Sequence, residues 1–413
     1  MERHSVTAII DKVALRKVYD SRGNPTVEAD IFTKDGLAGR ASCPSGASTG
    51  THEVRSFPSG GVDEAIKNSA EKGVPRFQGF ALGRQEEFDK LLKEVDGTED
   101  FSFLGGNTAT ALSVAYASAT AKVLRVPLWK AIGGGKYHSG TYPATVGNVL
   151  NGGVHAIGGP DIQEFIAFVK APEVRLQVET AFAVHRAVGR RLKALFPSAA
   201  LGRGDEGGWV APLNNEQALN VLSESCKEVR DAMPHKGITI QPGLDLAASE
   251  LFKDAKYHYK DKTLTPSEQV DYVARLIETY DLIYVEDPFD EEDYQSFSEL
   301  TSSMKGRKDL LIVGDDIYTT SPSRVKKGID MKASNSVLLK VNQVGTLSET
   351  LETVRLARKA GWSTVVSHRS GETPDSWLAH VAVAVGSRGL KCGVLGGERV
   401  AKLNELVRIA EGA

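Results

Sequence analysis

The stretch from Leu282 to Asp316 holds the residue types with the clearest capacity for chemistry. Two apolar runs of strand length, LIYVED and LLIVGDD, each end abruptly in carboxylates. Such runs are typical of buried parallel strands, which places Glu286 and Asp315 at two strand ends. A buried carboxylate is unfavourable unless a cation, a proton or hydrogen bonds compensate it, and Asp287 adds to the local charge. A divalent metal would explain this pattern, while two helix N-caps following two strands are the simpler alternative.

Polar or charged residues at the ends of apolar runs, here called polar tips, recur along the second half of the chain. They are Glu206, Asp245, Glu286, Asp315, Lys340, His368 with Arg369, and Lys391. Their spacing runs from 23 residues, between His368 and Lys391, to 41 residues, between Asp245 and Glu286. Each interval fits one strand and one helix, and a series of such units predicts a parallel sheet, most simply a closed barrel. The tips would then converge at one mouth of the barrel.

The three carboxylates Asp245, Glu286 and Asp315 would form a site made only of oxygen ligands. Such a site suits Mg2+ or Mn2+ rather than zinc. Lys340 lies inside an apolar strand, where desolvation and nearby positive charge are expected to lower its pKa toward that of a general base. A structural ion pair is the competing interpretation of this lysine.

Two further segments have the composition of ligand-binding loops. Arg369 and Ser370 are followed by a glycine, and a guanidinium with a hydroxyl suits recognition of a phosphate. The segment PSGASTG, Pro44 to Gly50, is rich in glycine and small hydroxyls that could bind a metal or a phosphate. A plain surface loop explains this segment equally well, and His155 and His368 could be ordinary residues of their turns.

Length and composition favour a cytoplasmic enzyme of two domains. The chain has 413 residues, and a barrel domain commonly takes about 250 of them. A formal charge of −3 provides no general field for nucleic acid or an anionic membrane. Three scattered cysteines indicate a reducing compartment. The opening MERHSVTAII lacks an apolar signal core, and no apolar run approaches the about 18 residues of a membrane span.

The first third of the chain has a different rhythm from the rest. β-rich runs at Val6–Val18 and Thr26–Phe32 are followed by helical patterns at Val62–Lys93 and Asn107–Val126. The glycines at Gly133–Gly135 then interrupt the pattern, which places a domain boundary there. We therefore predict an N-terminal α+β domain over 1–132 and a barrel domain over 133–413.

An ordered set of motifs carries a specific resemblance. The chain contains VYDSRGNPTVE, PSGASTG, NVLNGG followed by His155, IQEF, GDEGG, GLD, VEDPF, GDD, LLKVNQVGTLSET, SHRSGET and AKLNELVRIAE. In this order, and over essentially the whole chain, these motifs resemble the enolase family. One motif such as GDD would be weak, but the ordered set is very specific.

The resemblance implies both a fold and an activity. The fold would be a modified (β/α)8 barrel of the TIM type, capped by the smaller N-terminal α+β domain. The activity would be the lyase reaction of glycolysis and gluconeogenesis, the reversible dehydration of 2-phosphoglycerate to phosphoenolpyruvate. The family also implies two Mg2+ ions in each active site, the second binding with substrate, and a homo-oligomer, either a dimer or an octamer.

The resemblance also assigns roles to particular residues. The tighter Mg2+ would be held by Asp245, Glu286 and Asp315, and the second by Ser48 when its loop closes. Lys340 would be the general base, and Glu206, supported by Glu164, the acid that helps hydroxide leave. The substrate would be contacted by His155, Gln163, Glu164, Lys340, His368, Arg369, Ser370 and Lys391, of which Arg369 and Ser370 would hold its phosphate and Lys391 its carboxylate.

The chemistry of the reaction requires this distribution of charge. Removing a proton next to a carboxylate creates an aci-carboxylate dianion, so fixed positive charge must lie where the negative charge develops. A lysine or histidine base with one or two Mg2+ ions is the general solution of the superfamily. Hydroxide is a poor leaving group, so the acid must be protonated, and crowding of Glu206 by Glu164 and Asp205 would favour that form.

Two segments depart from the family pattern. After Glu53 the loop VRSFPSGG is shorter than in most enolases, and after Lys391 the segment CGVLGGER lacks a serine and an arginine.

Two other functions compete with this one. One competing function is a superfamily dehydratase that acts on another α-hydroxy or sugar acid. The other is a non-enzymatic scaffold, which would tolerate loss of Lys340 or Glu206, and both residues are present.

Overall fold

An antiparallel sheet with helices occupies the first third of the chain, and a closed barrel surrounded by helices occupies the rest. The computed structural model describes residues 8–46, 50–133, 136, 140–233 and 237–412. Within these ranges, no helix combines the length and the apolar character that a membrane crossing requires. The fold is of the α/β class, as the sequence predicts.

The N-terminal sheet has three antiparallel strands in chain order. They are β1 (Lys12–Tyr19), β2 (Pro25–Thr33) and β3 (Gly36–Ser42). The turn between β1 and β2 is held by Asp20, whose Oδ1 accepts the backbone N–H groups of Arg22 and Asn24, both at 2.9 Å. An aspartate that bonds its own backbone in this way is a common turn former.

Five helices follow this sheet along the chain, and the first, second and fourth of them pack on it. They are α1 (Gly61–Asn68), α2 (Val74–Phe77), α3 (Gln85–Asp96), α4 (Gly106–Leu124) and α5 (Leu128–Ala131), with a π-helical turn at Ser69–Gly73. The helical pattern predicted over 62–93 is therefore interrupted. Gly79 and Gly83 have φ values of 80° and 88°, in the left-handed region that ends a helix.

The alanine-rich helix α4 is almost entirely buried and packs closely on β3. A Cβ atom on Gly39 would lie 2.1 Å from the carbonyl oxygen of Ala115, so only glycine allows the strand to come this near. The first turn of α4 also reaches the barrel. There Asn107 Oδ1 accepts a hydrogen bond from Asn342 Nδ2 at 3.0 Å.

The barrel has eight main strands. They are β4 (Ala144–Asn151), β5 (Glu164–Lys170), β8 (Thr239–Asp245), β12 (Tyr284–Glu286), β13 (Leu311–Gly314), β14 (Ser336–Leu339), β15 (Ser363–Ser367) and β16 (Gly389–Lys391). They pair in this order, and β16 pairs with β4 to close the barrel. Apolar side chains, among them Val146, Ile166, Val313 and Leu338, form a buried cluster of their own.

Short strands lie at the edges. β6 (Gly202–Arg203) and β7 (Trp209–Val210) form a hairpin that adds to β4, and β9 (Phe252–Lys253), β10 (Lys256–His258) and β11 (Thr263–Leu264) form a small separate sheet. The outer helices are α6 (Val174–Leu195), α7 (Asn215–Ala232), α8 (Pro266–Tyr280), α9 (Tyr294–Ser303), α10 (Pro322–Met331), α11 (Val341–Val344), α12 (Leu347–Lys359), α13 (Trp377–Ala384) and α14 (Gly397–Glu411).

One strand departs from the predicted all-parallel barrel. β5 runs antiparallel to both β4 and β8, so its N-terminal residue Glu164, rather than its C-terminal end, lies beside Asp245. Glu206 lies in the β6–β7 hairpin, so its predicted place at the end of a barrel strand was wrong, although the interval from Glu206 to Asp245 does contain one helix, α7, and one barrel strand, β8. From β8 to β16 the predicted series of parallel strands is confirmed.

Candidate active site

Six of the predicted polar tips meet where the parallel strands end. Asp245, Glu286 and Lys391 are the last residues of β8, β12 and β16. Three others follow β13, β14 and β15 directly, namely Asp315, Lys340 and His368. The cavity at this mouth is small, about 30 Å³. Its lining includes Gln163, Glu164, Glu206, Asp245, Asp315, Lys340, His368, Arg369, Ser370 and Lys391.

Lys391 is the centre of the carboxylate cluster. Its Nζ lies 2.7 Å from Asp245 Oδ2, 2.7 Å from Glu286 Oε1 and 3.3 Å from Glu164 Oε1. The register explains this arrangement, because Glu286 is paired with Asp245 across β12 and β8, and Glu164 with Asp245 across β5 and β8. Burial disfavours the ammonium group, but the three carboxylates outweigh it and raise the pKa of Lys391 well above its usual value.

Lys340 and Asp315 form a second, largely buried ion pair, in which Lys340 Nζ donates to Asp315 Oδ2. The other oxygen of Asp315 accepts from Gln343 Nε2 at 3.0 Å. Burial opposes the charge on both groups, yet their attraction lowers the pKa of Asp315 and raises the pKa of Lys340. The predicted lowering of the Lys340 pKa was therefore wrong for this arrangement, because the nearest charge is a carboxylate rather than a cation.

The cluster carries more negative than positive charge. Its carboxylates are Glu164, Asp245, Glu286, Asp287, Asp315 and Asp316, against the ammonium groups of Lys340 and Lys391. Burial, followed by repulsion from Asp245, raises the pKa of Glu286 well above its usual value. Burial and Asp315 raise the pKa of Asp316 to about 8. An all-oxygen donor set with this excess of charge fits a hard divalent cation.

The tightest group of carboxylates is not the predicted one. Within the described ranges, one set of three metal-ligating residues has its ligand atoms within 4.8 Å of one another, and it is Asp287, Asp315 and Asp316. Both oxygens of Asp287 already accept backbone N–H groups, from Asp315 at 2.8 Å and from Asp316 at 2.7 Å. Asp287 therefore stabilises the turn after β13. The carboxylates of Asp245 and Glu286 are instead paired with Lys391.

A second pair of acids lies beside this cluster. Burial and the charge of Glu206 raise the pKa of Glu164 well above its usual value. Glu206 Oε2 accepts from Asn148 Nδ2 at 3.1 Å and lies 3.1 Å from His368 Nε2. The hairpin of Glu206 packs tightly, because a Cβ atom on Gly207, at φ 80°, would lie 2.1 Å from the carbonyl oxygen of Leu395.

Arg369 is buried in an ion pair with the N-terminal domain. Its two terminal nitrogens lie 3.0 Å from the two carboxylate oxygens of Glu53, and one of them also donates to Asn342 Oδ1 at 2.8 Å. Ser370 follows in the chain and is also buried. The guanidinium thus lies at the mouth with its fork directed at a carboxylate, the geometry that also suits a phosphate.

The side chains of two predicted site residues lie outside the part of the chain that the structure describes. Ser48 falls outside the described residues, and so does the side chain of His155, although its backbone is part of a 3-10 turn at Gly153–His155. Gln163 is placed at the mouth with a largely buried side chain, just before β5.

Sequence reasoning missed the partners that hold these side chains. They are Glu53 against Arg369, Gln343 against Asp315, Asn148 against Glu206 and Arg399 against His368. All four lie at least 28 residues along the chain from the residue they contact, so no local spacing indicates them. Asn148 and Gln343 lie in quoted motifs, and amides inside otherwise apolar segments were the available signal.

Comparison with known proteins gives a single family. The family model described as "Enolase, C-terminal TIM barrel domain" matches residues 139–413, and "Enolase, N-terminal domain" matches residues 10–132. An enolase of Methanosphaera stadtmanae is 47% identical over 98% of this chain and 97% of its own. Enolases of Halorubrum lacusprofundi and Thermoplasma acidophilum are 46% and 44% identical, over 98% and 97% of this chain and 99% and 98% of their own.

Proposed function

This chain belongs to the enolase family of hydro-lyases, and we propose that it catalyses the reversible, Mg2+-dependent dehydration of 2-phosphoglycerate to phosphoenolpyruvate. The observation that carries the proposal is the placement of a partly buried lysine, Lys340, and a buried acid, Glu206, on the same small cavity as the carboxylate cluster. We assign the reaction to glycolysis and gluconeogenesis in the cytoplasm, and the protein to a dimer or octamer. The proposed domains are 1–132 and 133–413.

Lys340 is the proposed general base. It would take the proton from C2 of the substrate, and the electrons of that C–H bond would move onto the neighbouring carboxylate. Lys391, already surrounded by anions, would pair with that carboxylate. For Lys340 to act as a base, its ion pair with Asp315 must weaken, which a cation shared with Asp315 would bring about.

The proposed ligands of the tighter Mg2+ are Asp245, Glu286 and Asp315, and Ser48 is the proposed ligand of the second ion. When bound, the two ions would supply positive charge that stabilises the developing aci-carboxylate. The excess of buried negative charge among these residues supports this assignment, because a divalent cation would offset it.

Glu206 is the proposed acid for the second half of the reaction. As the C3–O bond breaks, it would donate a proton to the departing hydroxide, releasing water, while the C2–C3 double bond forms. Glu164 would support Glu206, since each carboxylate disfavours the charge of the other. His155, Gln163 and His368 would contact the substrate around this acid.

Arg369 and Ser370 are the proposed phosphate site. The substrate phosphate would replace the carboxylate of Glu53 as the partner of the Arg369 fork, or would share that fork with it. Because the cavity is nearly filled by its own ion pairs, substrate would enter by exchanging partners with these charged groups.

The decisive test is the growth of enol-ether absorbance when 2-phosphoglycerate is added to the purified protein. We expect growth with Mg2+ and none after chelation. Aldonates offered in parallel test the sugar-acid alternative. Turnover of an aldonate but not of 2-phosphoglycerate would replace the proposal, and turnover of neither would favour the scaffold.

A further inference from the structure

We propose that Arg399 is a positioning residue, which holds His368 as the neutral tautomer with its proton on Nε2, the ring nitrogen that lies 3.1 Å from Glu206 Oε2. This inference rests on the proposed function, because it gives His368 a task only if Glu206 is the acid. Arg399 lies in the altered segment after Lys391, in the first turn of α14, and it does not line the cavity.

Arg399 is fully buried, and its two terminal nitrogens face the residues around the acid. Its Nη1 lies 2.9 Å from His368 Nδ1 and 2.5 Å from the carbonyl oxygen of Arg369. Its Nη2 lies 2.5 Å from the carbonyl oxygen of Ser370 and 3.2 Å from that of Asp205, the residue before Glu206. Its Nε faces Glu398 at 3.2 Å. One guanidinium therefore joins the loop after β15 to the β6–β7 hairpin.

The chemistry of the two groups decides the tautomer. A guanidinium has only donors and keeps its protons at any working pH, so the nitrogen that faces it must present a lone pair. The backbone N–H of Gly393 also faces His368 Nδ1, at 3.3 Å. With Nδ1 thus occupied by donors, the single proton of the neutral ring lies on Nε2, 3.1 Å from Glu206 Oε2.

The charges around His368 support a neutral ring. Burial is the largest influence and lowers the pKa of His368 to about 4, with Arg399 acting in the same direction against Glu206 and Glu372. An imidazolium here would favour the carboxylate form of Glu206 and so remove the acid. The opposite tautomer would present a lone pair to Glu206 and could accept its proton. The arrangement at Nδ1 prevents both, which leaves the proton of Glu206 to the leaving group.

Lys402 provides a matched control. It lies one turn further along α14, is also buried, and braces the same loop through the carbonyl oxygens of Thr373, at 2.9 Å, and Asp375, at 2.8 Å. It pairs with Glu372 at 2.8 Å, and its described contacts do not include the imidazole. Losing Lys402 should loosen the loop without changing the His368 tautomer.

The first test starts from the protein with Arg399 in place and then compares the Arg399 and Lys402 variants. In the 15N NMR spectrum of histidine-labelled protein, we expect His368, assigned by the signal missing from His368→Gln, to show an unprotonated Nδ1 and a protonated Nε2 from about pH 5 to 8. A protonated Nδ1 in this range would overturn the proposal. Tautomer exchange in Lys402→Met to the same extent as in Arg399→Met would also overturn it.

The second test separates the two halves of the reaction. Exchange of the C2 proton of 2-phosphoglycerate with solvent deuterium reports on Lys340, whereas dehydration also needs Glu206. In Arg399→Met and Arg399→Lys we expect dehydration to fall at least about tenfold more than exchange, and in Lys402→Met we expect both to fall together. Adding Arg399→Met to His368→Gln should lower dehydration little further.

Failure of the Arg399 proposal and failure of the proposed function give different results in these measurements. Equal losses of exchange and dehydration in Arg399→Met would mean that the residue only stabilises the loop. A wild-type protein that neither exchanges the C2 proton nor forms product would instead defeat the proposed function, and the tautomer measurement would still decide whether Arg399 positions His368.

Discussion

The two ends of the barrel place different residues around their cavities. At the carboxyl ends of the parallel strands, a cavity of about 30 Å³ is crowded by buried ion pairs. At the opposite end, a cavity of about 570 Å³ is lined by residues including Lys170, Arg358 and Arg388. The larger opening is thus not the one that holds the candidate active site.

The difference lies in what the charged groups contact. At the larger opening, Lys170 donates to the carbonyl oxygen of Tyr142, and Arg358 donates to those of Val385 and Gly386. Backbone carbonyls accept hydrogen bonds from these cations, of which Lys170 is half-buried and Arg358 is exposed to water. At the active-site end, buried carboxylates outnumber the lysines beside them, which is unfavourable without a bound cation. Uncompensated buried charge, rather than cavity volume, therefore marks the site.

The largest contrast is expected between two lysines, one at each end. Lys340→Ala should lower turnover by about 10²–10⁴-fold by removing the base, whereas Lys170→Ala should leave turnover nearly unchanged. Both variants are assayed for dehydration and for C2 proton exchange. A Lys340→Ala protein that exchanged the C2 proton at the normal rate would exclude Lys340 as the base.

A smaller contrast is expected in metal binding. Glu286→Gln should weaken Mg2+ binding at least about 100-fold, because it replaces an ionic ligand by a neutral amide at a buried position. Asp309→Asn, an exposed carboxylate at the opposite opening, should leave the affinity unchanged. Calorimetric titration of both variants with Mg2+ measures this directly, and equal affinities would remove Glu286 from the ligand set.

Two glycines, one in the Glu206 hairpin and one at the larger opening, allow the two ends of the barrel to be compared by the free energy of unfolding. Gly207 and Gly361 have similar φ values, 80° and 78°, but a Cβ on Gly207 meets the Leu395 carbonyl, whereas nothing lies within 4 Å of one on Gly361. Gly361→Ala should therefore cost about 1–2 kcal/mol, the price of the left-handed conformation alone. Gly207→Ala should cost at least about 4 kcal/mol. Urea denaturation of both variants measures the free energy of unfolding. Similar decreases in the two variants would show that the Glu206 hairpin shifts to accept a Cβ atom at little cost.

The smallest effect concerns pH and a buried histidine behind the same hairpin. His185 Nε2 lies 2.9 Å from the carbonyl oxygen of Gly207, and burial lowers the pKa of His185 to about 4. Its unfolded pKa is about 6.5, so the unfolded chain binds the proton first and stability falls as pH drops from about 6.5 toward 4. At pH 5 the loss should be about 2 kcal/mol.

His185→Gln should remove that part of the pH dependence. The measurement is the free energy of unfolding at pH 7 and pH 5, compared between the variant and the wild type. Among the described residues that line the larger opening there is no histidine, so its variants Lys170→Ala and Gly361→Ala should keep the wild-type dependence. An unchanged slope in His185→Gln would mean that His185 binds its proton over the same pH range in the folded and the unfolded protein.

Much of the barrel was predictable from local patterns. The apolar runs that end at Asp245, Glu286, Asp315 and Lys391 are strands, because a strand buried on both faces shows a continuous apolar run with a polar residue where it leaves the core. The direction of β5 was not predictable in this way. A buried antiparallel strand has the same apolar composition as a parallel one, and only its pairing with neighbours distinguishes them.

The amino-acid sequence by itself determined that the groups at the ends of the parallel strands reach the mouth, since those ends meet on one face of a barrel whatever their loops contain. Only the tertiary structure decided how those groups are partnered. Lys391 lies among three carboxylates, Arg369 faces Glu53, and Arg399 faces His368, although each pair is separated by at least 31 residues. Electrostatic energy depends on distance and burial, which spacing along the chain does not specify, so pKa values and tautomers follow from the fold rather than from the motifs.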